Sequence, residues 1–272
     1  NRGDSMQMVT RNLRFYFVAV GLLALWVGVW GYFIPTKVDQ AIPWLVPPLH
    51  ARFLGAMYLS GTAFMIAGVF SQKYFEVKIM VPMIAIWTGM LFIVSLFYLG
   101  EFDYSRTQVW IWFGAYFIYP AIAIWVAWTH RNLNEKGNGS SIPNWMKTYV
   151  LIQGIIVTLL ALLLLFFPAM MVNNWPWKIT PLLAQIYSAP FLSYGIGSLL
   201  ISRMERWDEV RVVLIGTFVF AFGVFIASLI HRDLFSFANI SAWVWFGGFA
   251  IASAMLGWMT QVSVRDRGAK SS

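Results

Sequence analysis

The 272-residue chain is 60% hydrophobic and 11% charged, with a net charge of +8. That balance excludes an ordinary soluble domain and a disordered chain, and puts the protein in the integral-membrane class. With no cysteine, disulfides, thiolate metal sites and thiol catalysis are excluded too.

Eight apolar stretches follow one another, each of about 20 residues, the length a helix needs to cross about 30 Å of hydrocarbon. The first lies near 13–34. It is too long for a signal-peptide core and no A-x-A site follows it, so a retained helix is expected. The chain opens on Asn1 rather than Met and is read as processed or as a fragment. Arg2-Gly3-Asp4 matches an adhesion triplet, but chance is the better reading, because this tail is expected in the cytoplasm. A loop from Pro35 to Pro48 follows, with Pro43-Trp44 inside it. Pro48 suits the first turn of the next helix, where a missing N–H costs nothing. The loop is expected to fold back as a cap, with Trp44 at headgroup level.

Span 2, near 51–71, opens beside His50 and Arg52 and carries Gly55, Ala56, Gly61 and Gly68. Small residues let helices approach closely in lipid, so inter-repeat contacts are expected here and on spans 6 and 8. Span 3, near 78–99, follows Glu76-Val77-Lys78, where the acid suits the helix dipole and the base a headgroup. Span 4, near 108–129, opens on Trp110-Ile111-Trp112-Phe113-Gly114. Residues 130–146 are rich in Asn, Gly and Ser, the composition of a flexible polar linker between residues 1–129 and 147–272.

Spans 5 to 8, near 147–168, 182–202, 211–231 and 240–263, restate the first four at a fixed offset of 133 positions. Pro43-Trp44 falls on Pro176-Trp177, Leu59-Ser60 on Leu192-Ser193, and Glu76-Val77-Lys78 on Glu209-Val210-Arg211. Trp110-Ile111-Trp112-Phe113-Gly114 falls on Trp243-Val244-Trp245-Phe246-Gly247. A register this long indicates a duplicated unit. Four spans per unit is an even number, so both units insert the same way. The expected fold class is all-α integral membrane: eight transmembrane helices as two parallel four-helix repeats about a pseudo-twofold axis along the membrane normal.

In that topology the termini and the loops near 72–78, 130–147 and 203–211 share one side and hold 14 of the 19 Lys and Arg. The other side holds Lys37, Arg52, Arg106, Lys178 and Arg232. Positive charge stays inside, so both termini are expected in the cytoplasm of a bacterial cell membrane. The bases are scattered over short loops, so no nucleic-acid partner is expected.

No Asp, Glu, Lys or Arg lies in the middle of a span, where such groups mark ion paths and proton relays. His50 and His231, both at the outer face, are the candidate cofactor-binding residues, because imidazole is the commonest ligand of metals, haem and chlorophyll-type pigments. The competing reading is an interfacial histidine bonded to a loop carbonyl. His231 and Asp233 belong to no catalytic pattern, which disfavours an enzyme. Trp44, Trp177, Trp110, Trp112, Trp243 and Trp245 form an interfacial aromatic set, either a belt or stacking partners for a flat ligand.

These features point to a non-catalytic, multi-pass membrane subunit or scaffold. It would sit in the lipid bilayer against other integral membrane proteins and hold lipid, pigment, haem or quinone. The alternative is a transporter or permeation pathway for a small neutral or hydrophobic molecule at the repeat interface.

Overall fold

A computed structural model describes residues 8–44, 46–133 and 135–271, with side chains as far as Arg267. The Arg2-Gly3-Asp4 triplet and Asn134 of the linker lie outside the described residues. Among the described residues ten α-helices follow in order: α1 (Arg11–Phe33), α2 (Pro48–Phe70), α3 (Tyr74–Val77), α4 (Met80–Phe97), α5 (Thr107–Thr129), α6 (Asn144–Phe166), α7 (Pro168–Asn174), α8 (Pro181–Ile201), α9 (Trp207–Ile230) and α10 (Ile240–Ser271). No β-strand occurs among them, only the isolated bridges Met8–Lys73 and Ser141–Arg206.

Local chemistry sets the helix ends. Thr10 accepts the Leu13 N–H at 3.2 Å and Thr180 the Leu183 N–H at 3.2 Å, each satisfying an orphan donor of a first turn. Pro48, Pro168 and Pro181 occupy first helical positions. Glu209 reaches back to the Arg206 N–H at 2.9 Å, and Glu76 to that of Lys73 at 3.3 Å.

Among the described residues, seven helical segments are long and apolar enough to cross a membrane: α1, α2, Tyr74–Phe97 (α3 and α4 together), α5, α6, α9 and Ile240–Arg267 of α10. The chain is a multi-pass membrane protein. The helix α8 is not among the seven. Its 21 residues reach about 31 Å at 1.5 Å per residue. Gln185, Tyr187, Ser188, Ser193, Tyr194 and Ser198 lower its apolar character, and most of its residues are buried. A helix surrounded by protein need not be oily on every face.

Helix neighbours form two chains of contact. The helix α1 packs on α2, α2 on α9, and α9 on α10. Likewise α5 packs on α4, α4 on α8, and α8 on α6. Two of these seams join the N-terminal half to the C-terminal half, and the interhelical hydrogen bonds across them come in pairs related by the repeat offset. Ser60 Oγ donates to the Gly216 carbonyl at 2.6 Å, and Ser193 Oγ to the Met83 carbonyl at 2.9 Å. Within each half, Trp112 Nε1 donates to Ser95 Oγ at 2.9 Å and Trp245 Nε1 to Ser228 Oγ at 2.9 Å. In lipid, where no hydrophobic force draws helices together, such bonds contribute about 0.6 kcal/mol each beside close packing.

The small residues do a different job from the one expected of them. A Cβ on Gly31 would lie 2.8 Å from the Ala51 carbonyl, so α1 and α2 meet backbone to backbone within the N-terminal half. The stripe at Gly247 and Gly248 faces open space, with nothing within 4 Å of an added Cβ. Only part of the small-residue set serves the seam between halves, as Gly197 does against Met83, while Gly216 of α9, outside the expected set, meets Phe64 there.

The linker also departs from its composition. The N–H groups of Asn138 and Gly139 donate to Asp208 at 2.8 and 2.9 Å, and the Ile142 N–H to the Glu205 carbonyl at 2.9 Å. Ser140 Oγ donates to Asp266 at 2.5 Å. Carboxylates on α9 and α10 thus supply acceptors that a Gly- and Asn-rich segment would otherwise find in water.

Candidate functional site

Two ends of the bundle carry polar chemistry, and its middle carries a hollow. At the end near residues 35–47 and 168–180, Arg52 and His231 join the halves, with Arg52 Nη1 2.6 Å from His231 Nε2 and Arg52 Nε donating to the Tyr32 carbonyl at 3.2 Å. Gln185 and Tyr98 stand 133 positions from Arg52 and His231 and likewise pair across the halves. Tyr98 donates to Gln185 Oε1 at 2.6 Å, and Gln185 Nε2 donates to the Leu165 carbonyl at 2.9 Å. The geometry is shared and the chemistry is not. Burial, and after it the neighbouring Arg52 guanidinium, lower the His231 pKa from its ordinary 6.5.

His50 is buried in the first turn of α2, with Nδ1 2.7 Å from the Tyr187 hydroxyl. Its ring meets that of Trp177 edge-on at 6.2 Å. The two candidate histidines therefore engage different partners, Tyr187 and Arg52. Among the described residues no group of three or more His, Asp or Glu could hold a metal ion.

The six tryptophans divide in two. Trp110 and Trp243 are 62% and 60% exposed, and their Nε1 groups donate to the Tyr104 and Phe237 carbonyls. Trp112, Trp245 and Trp177 are buried, and Trp44 is half-buried. Trp177 lies 4.7 Å from Trp245 and 5.4 Å from Phe235, and Trp44 lies 5.1 Å from Trp112 and 5.0 Å from Phe102. Two residues apart on a helix means opposite sides, so one indole of each Trp-x-Trp faces out and the other faces the loop folded over it.

The opposite end, beside the linker, holds a polar cleft of about 210 Å³ lined by Gln72, Glu76, Gly139, Asp208, Arg211, Asp266 and Arg267. Arg211 is buried there, its Nε donating to the Ser263 carbonyl at 2.9 Å. Acids and bases are mixed in this cleft, and Asp208 accepts from the linker through Oδ2 while its Oδ1 is buried without a hydrogen-bond partner.

The hollow lies between α1, α2, α4, α5 and α8. It measures about 50 Å³, and no charged side chain lines it. Its walls include Val20, Ala24, Gly61, Met65, Met80, Met83 and Trp87. Tyr58, Tyr116, Thr88, Tyr119 and Ser193 bring hydroxyls to its lining, and Trp87 an indole N–H. Tyr58 and Tyr116 hydrogen-bond to each other through their hydroxyls. A smaller hollow of about 10 Å³, towards Trp44 and Val46, shares Tyr58 and Trp87 with it.

The corresponding place in the C-terminal half is full. Tyr194 stands where Gly61 would be, and its ring lies 4.3 Å from Phe220, at an interplanar angle of 8°. Phe220 takes the place of Trp87. The Tyr194 hydroxyl donates to Ser60 Oγ at 2.7 Å. Phe191 and Phe249 replace Tyr58 and Tyr116, and Ala221 replaces Thr88. One half thus has a ring where the other has space, and phenyl where the other has phenol.

Sequence reasoning singled out the histidines and tryptophans and passed over Tyr58, Thr88, Trp87 and Tyr116. The signal was present as a set of mismatches in an otherwise matched register: Gly61 against Tyr194, Tyr58 against Phe191, Tyr116 against Phe249. Comparison with the profiles of known families, with curated proteins and with solved structures found no match to this chain, so the hollow and its filled counterpart are the observations on which a functional reading stands.

Proposed function

We propose that this chain is an eight-span membrane subunit made of two parallel four-helix repeats, residues 1–129 and 147–272, joined by a cytoplasmic linker at 130–146. Its support is the constant offset that relates helix starts, isolated bridges and hydrogen bonds across the halves. The excess of Lys and Arg at the linker end supports both termini lying in the cytoplasm.

The function we infer is non-catalytic: the protein holds a small lipid-soluble molecule in the hollow of its N-terminal half, and packs against partner membrane proteins. The observation that carries this reading is the uncharged hollow at a position whose counterpart is filled. Space in a packed interior forfeits dispersion contacts, so a duplicated scaffold that can fill this position and leaves it open on one side does so at a cost. We read His50 and His231 as hydrogen-bonded closures of the outer end.

Extraction from the native membrane into polymer-bounded discs, followed by mass spectrometry, tests the reading. A stoichiometric apolar molecule and reproducible partner proteins are expected. A chain that runs alone and carries only bulk lipid overturns it. With His50→Ala and His231→Ala, the bound molecule is expected to remain; loss of a visible absorption band would instead make the histidines pigment or haem ligands.

A transporter is the second reading. The two hollows share Tyr58 and Trp87 and follow each other along the seam of α2, α4 and α8, as a path at the repeat interface would. Uptake of a small neutral solute by proteoliposomes, abolished by filling the hollow, would select it.

A further inference from the structure

We propose that the Tyr58–Tyr116 pair recognises a carbonyl oxygen at one end of an otherwise apolar, membrane-dissolved molecule. This rests on the reading of the hollow as a holding site and names what it holds.

The argument begins with a count of protons. Two phenols carry two O–H donors. One is used between Tyr58 and Tyr116, and among the described residues neither hydroxyl has another hydrogen-bond partner. The second donor has no acceptor. Both rings are buried, at 7% and 5% exposure, in a segment read as crossing the membrane. A buried donor without a partner costs about 1–3 kcal/mol. The neighbouring hydroxyls donate elsewhere, Thr88 to the Ile84 carbonyl at 2.6 Å and Ser193 to that of Met83 at 2.9 Å, and among the described residues neither oxygen accepts from a phenol. The hollow therefore presents one unused donor on an apolar wall. It lacks any charge to attract an anion.

Size narrows the occupant further. At about 10–15 Å³ per water-sized group, 50 Å³ takes about four such groups. That is the end of a molecule, a ketone, ester or quinone carbonyl with its immediate neighbours. The remainder must leave past the less buried part of its lining. The half-buried Val20, Leu23 and Tyr119 edge the hollow on α1 and α5, which meet below it where Tyr16 donates to the Tyr119 carbonyl at 2.7 Å. An apolar tail passing between α1 and α5 would lie in hydrocarbon. At the matching positions the C-terminal half has Phe191 and Phe249, which carry no hydroxyl.

Water is the other source of an acceptor, and the test separates the two. Binding of 2-undecanone, ¹³C-labelled at its carbonyl, and of undecane is measured on the full chain in nanodiscs. The wild-type protein, Gly61→Leu and the double variant Tyr58→Phe/Tyr116→Phe are compared. The ketone is expected to bind the wild type and to weaken by about fivefold in the double phenylalanine variant, the share of one hydrogen bond. Undecane is expected to bind both alike, and Gly61→Leu to exclude both. The infrared band of the bound carbonyl should sit at lower wavenumber in the wild type and return to its position in lipid in the double variant. Phenylalanine at Phe191 and Phe249 in the matching half indicates that the exchange fits. Equal binding of ketone and alkane, with an unshifted carbonyl band, overturns the carbonyl assignment and leaves the holding site standing. If neither probe binds, the hollow is a water site, and the holding-site reading falls with it.

Discussion

The two halves of the molecule share a helix order, a register and a hydrogen-bond pattern, yet one is hollow where the other is solid. Around Gly61 the N-terminal half leaves space beside a phenol pair. Around Tyr194 the C-terminal half fills the same place with a ring stacked on Phe220. The difference separates scaffold from site. Contacts that recur in both halves, such as Trp112 with Ser95 and Trp245 with Ser228, hold helices together. Contacts that differ are where one half has been adapted.

The comparison can be broken most forcefully by emptying the solid half. Tyr194→Ala removes a buried ring, its stack and its bond to Ser60, and is expected to destabilise the protein by about 3–5 kcal/mol. Unfolding in mixed detergent micelles would measure this; a loss below about 1 kcal/mol would mean that the ring is not a packing element. Next in size is the phenol pair. Tyr58→Phe or Tyr116→Phe alone is expected to cost about 1 kcal/mol, the size of one hydrogen bond. The double variant is expected to cost no more than one single, because the pair is removed whole. Additive losses in that cycle would show that the two hydroxyls act independently.

A smaller effect runs the other way. Gly61→Ala places a Cβ 3.7 Å from Ala24 and 4.0 Å from Trp87, ordinary contact distances. Alanine is the better helix former, so a gain of about 0.5–1 kcal/mol is expected, read in the same unfolding assay. Destabilisation would mean that the hollow is narrower than its walls imply.

The smallest effect sharpens the comparison at the loop end, where Arg52–His231 stands opposite Gln185–Tyr98. The His231 pKa is lowered, so the unfolded chain binds the proton more readily than the folded one. Stability from this contact is complete above the ordinary value of 6.5 and falls as pH drops through the lowered value. The group is half-buried and partly screened by solvent, so the change should stay below about 1 kcal/mol. The double variant Arg52→Gln/His231→Tyr, a copy of the Gln185–Tyr98 pair, should remove this acid sensitivity. A pH profile between 5 and 7 that is unchanged by the exchange would assign the sensitivity to other groups.

Much of the scaffold was legible before any coordinates. Apolar stretches of the right length marked the helices, and all eight are helical, with starts within four residues of the expected ones. The repeat offset located the counterpart of each contact. The last helix ran beyond expectation, to Ser271, because polar residues past 263 are no barrier to a helix that leaves hydrocarbon for water. Hydropathy cannot judge α8 well, since burial against α4 and α6 removes the demand for oily residues on its faces.

Length, apolar periodicity and the repeated register are local properties, and the sequence alone carried them. Three features needed the fold. Asp208 holds the linker down, although that linker reads as loose. The inward half of each Trp-x-Trp pair belongs to the protein interior. The hollow with its unused phenol proton exists only because residues from five helices converge on it. Cavities and unsatisfied donors are properties of what surrounds a side chain, and side chains distant in the chain become neighbours only when the helices pack.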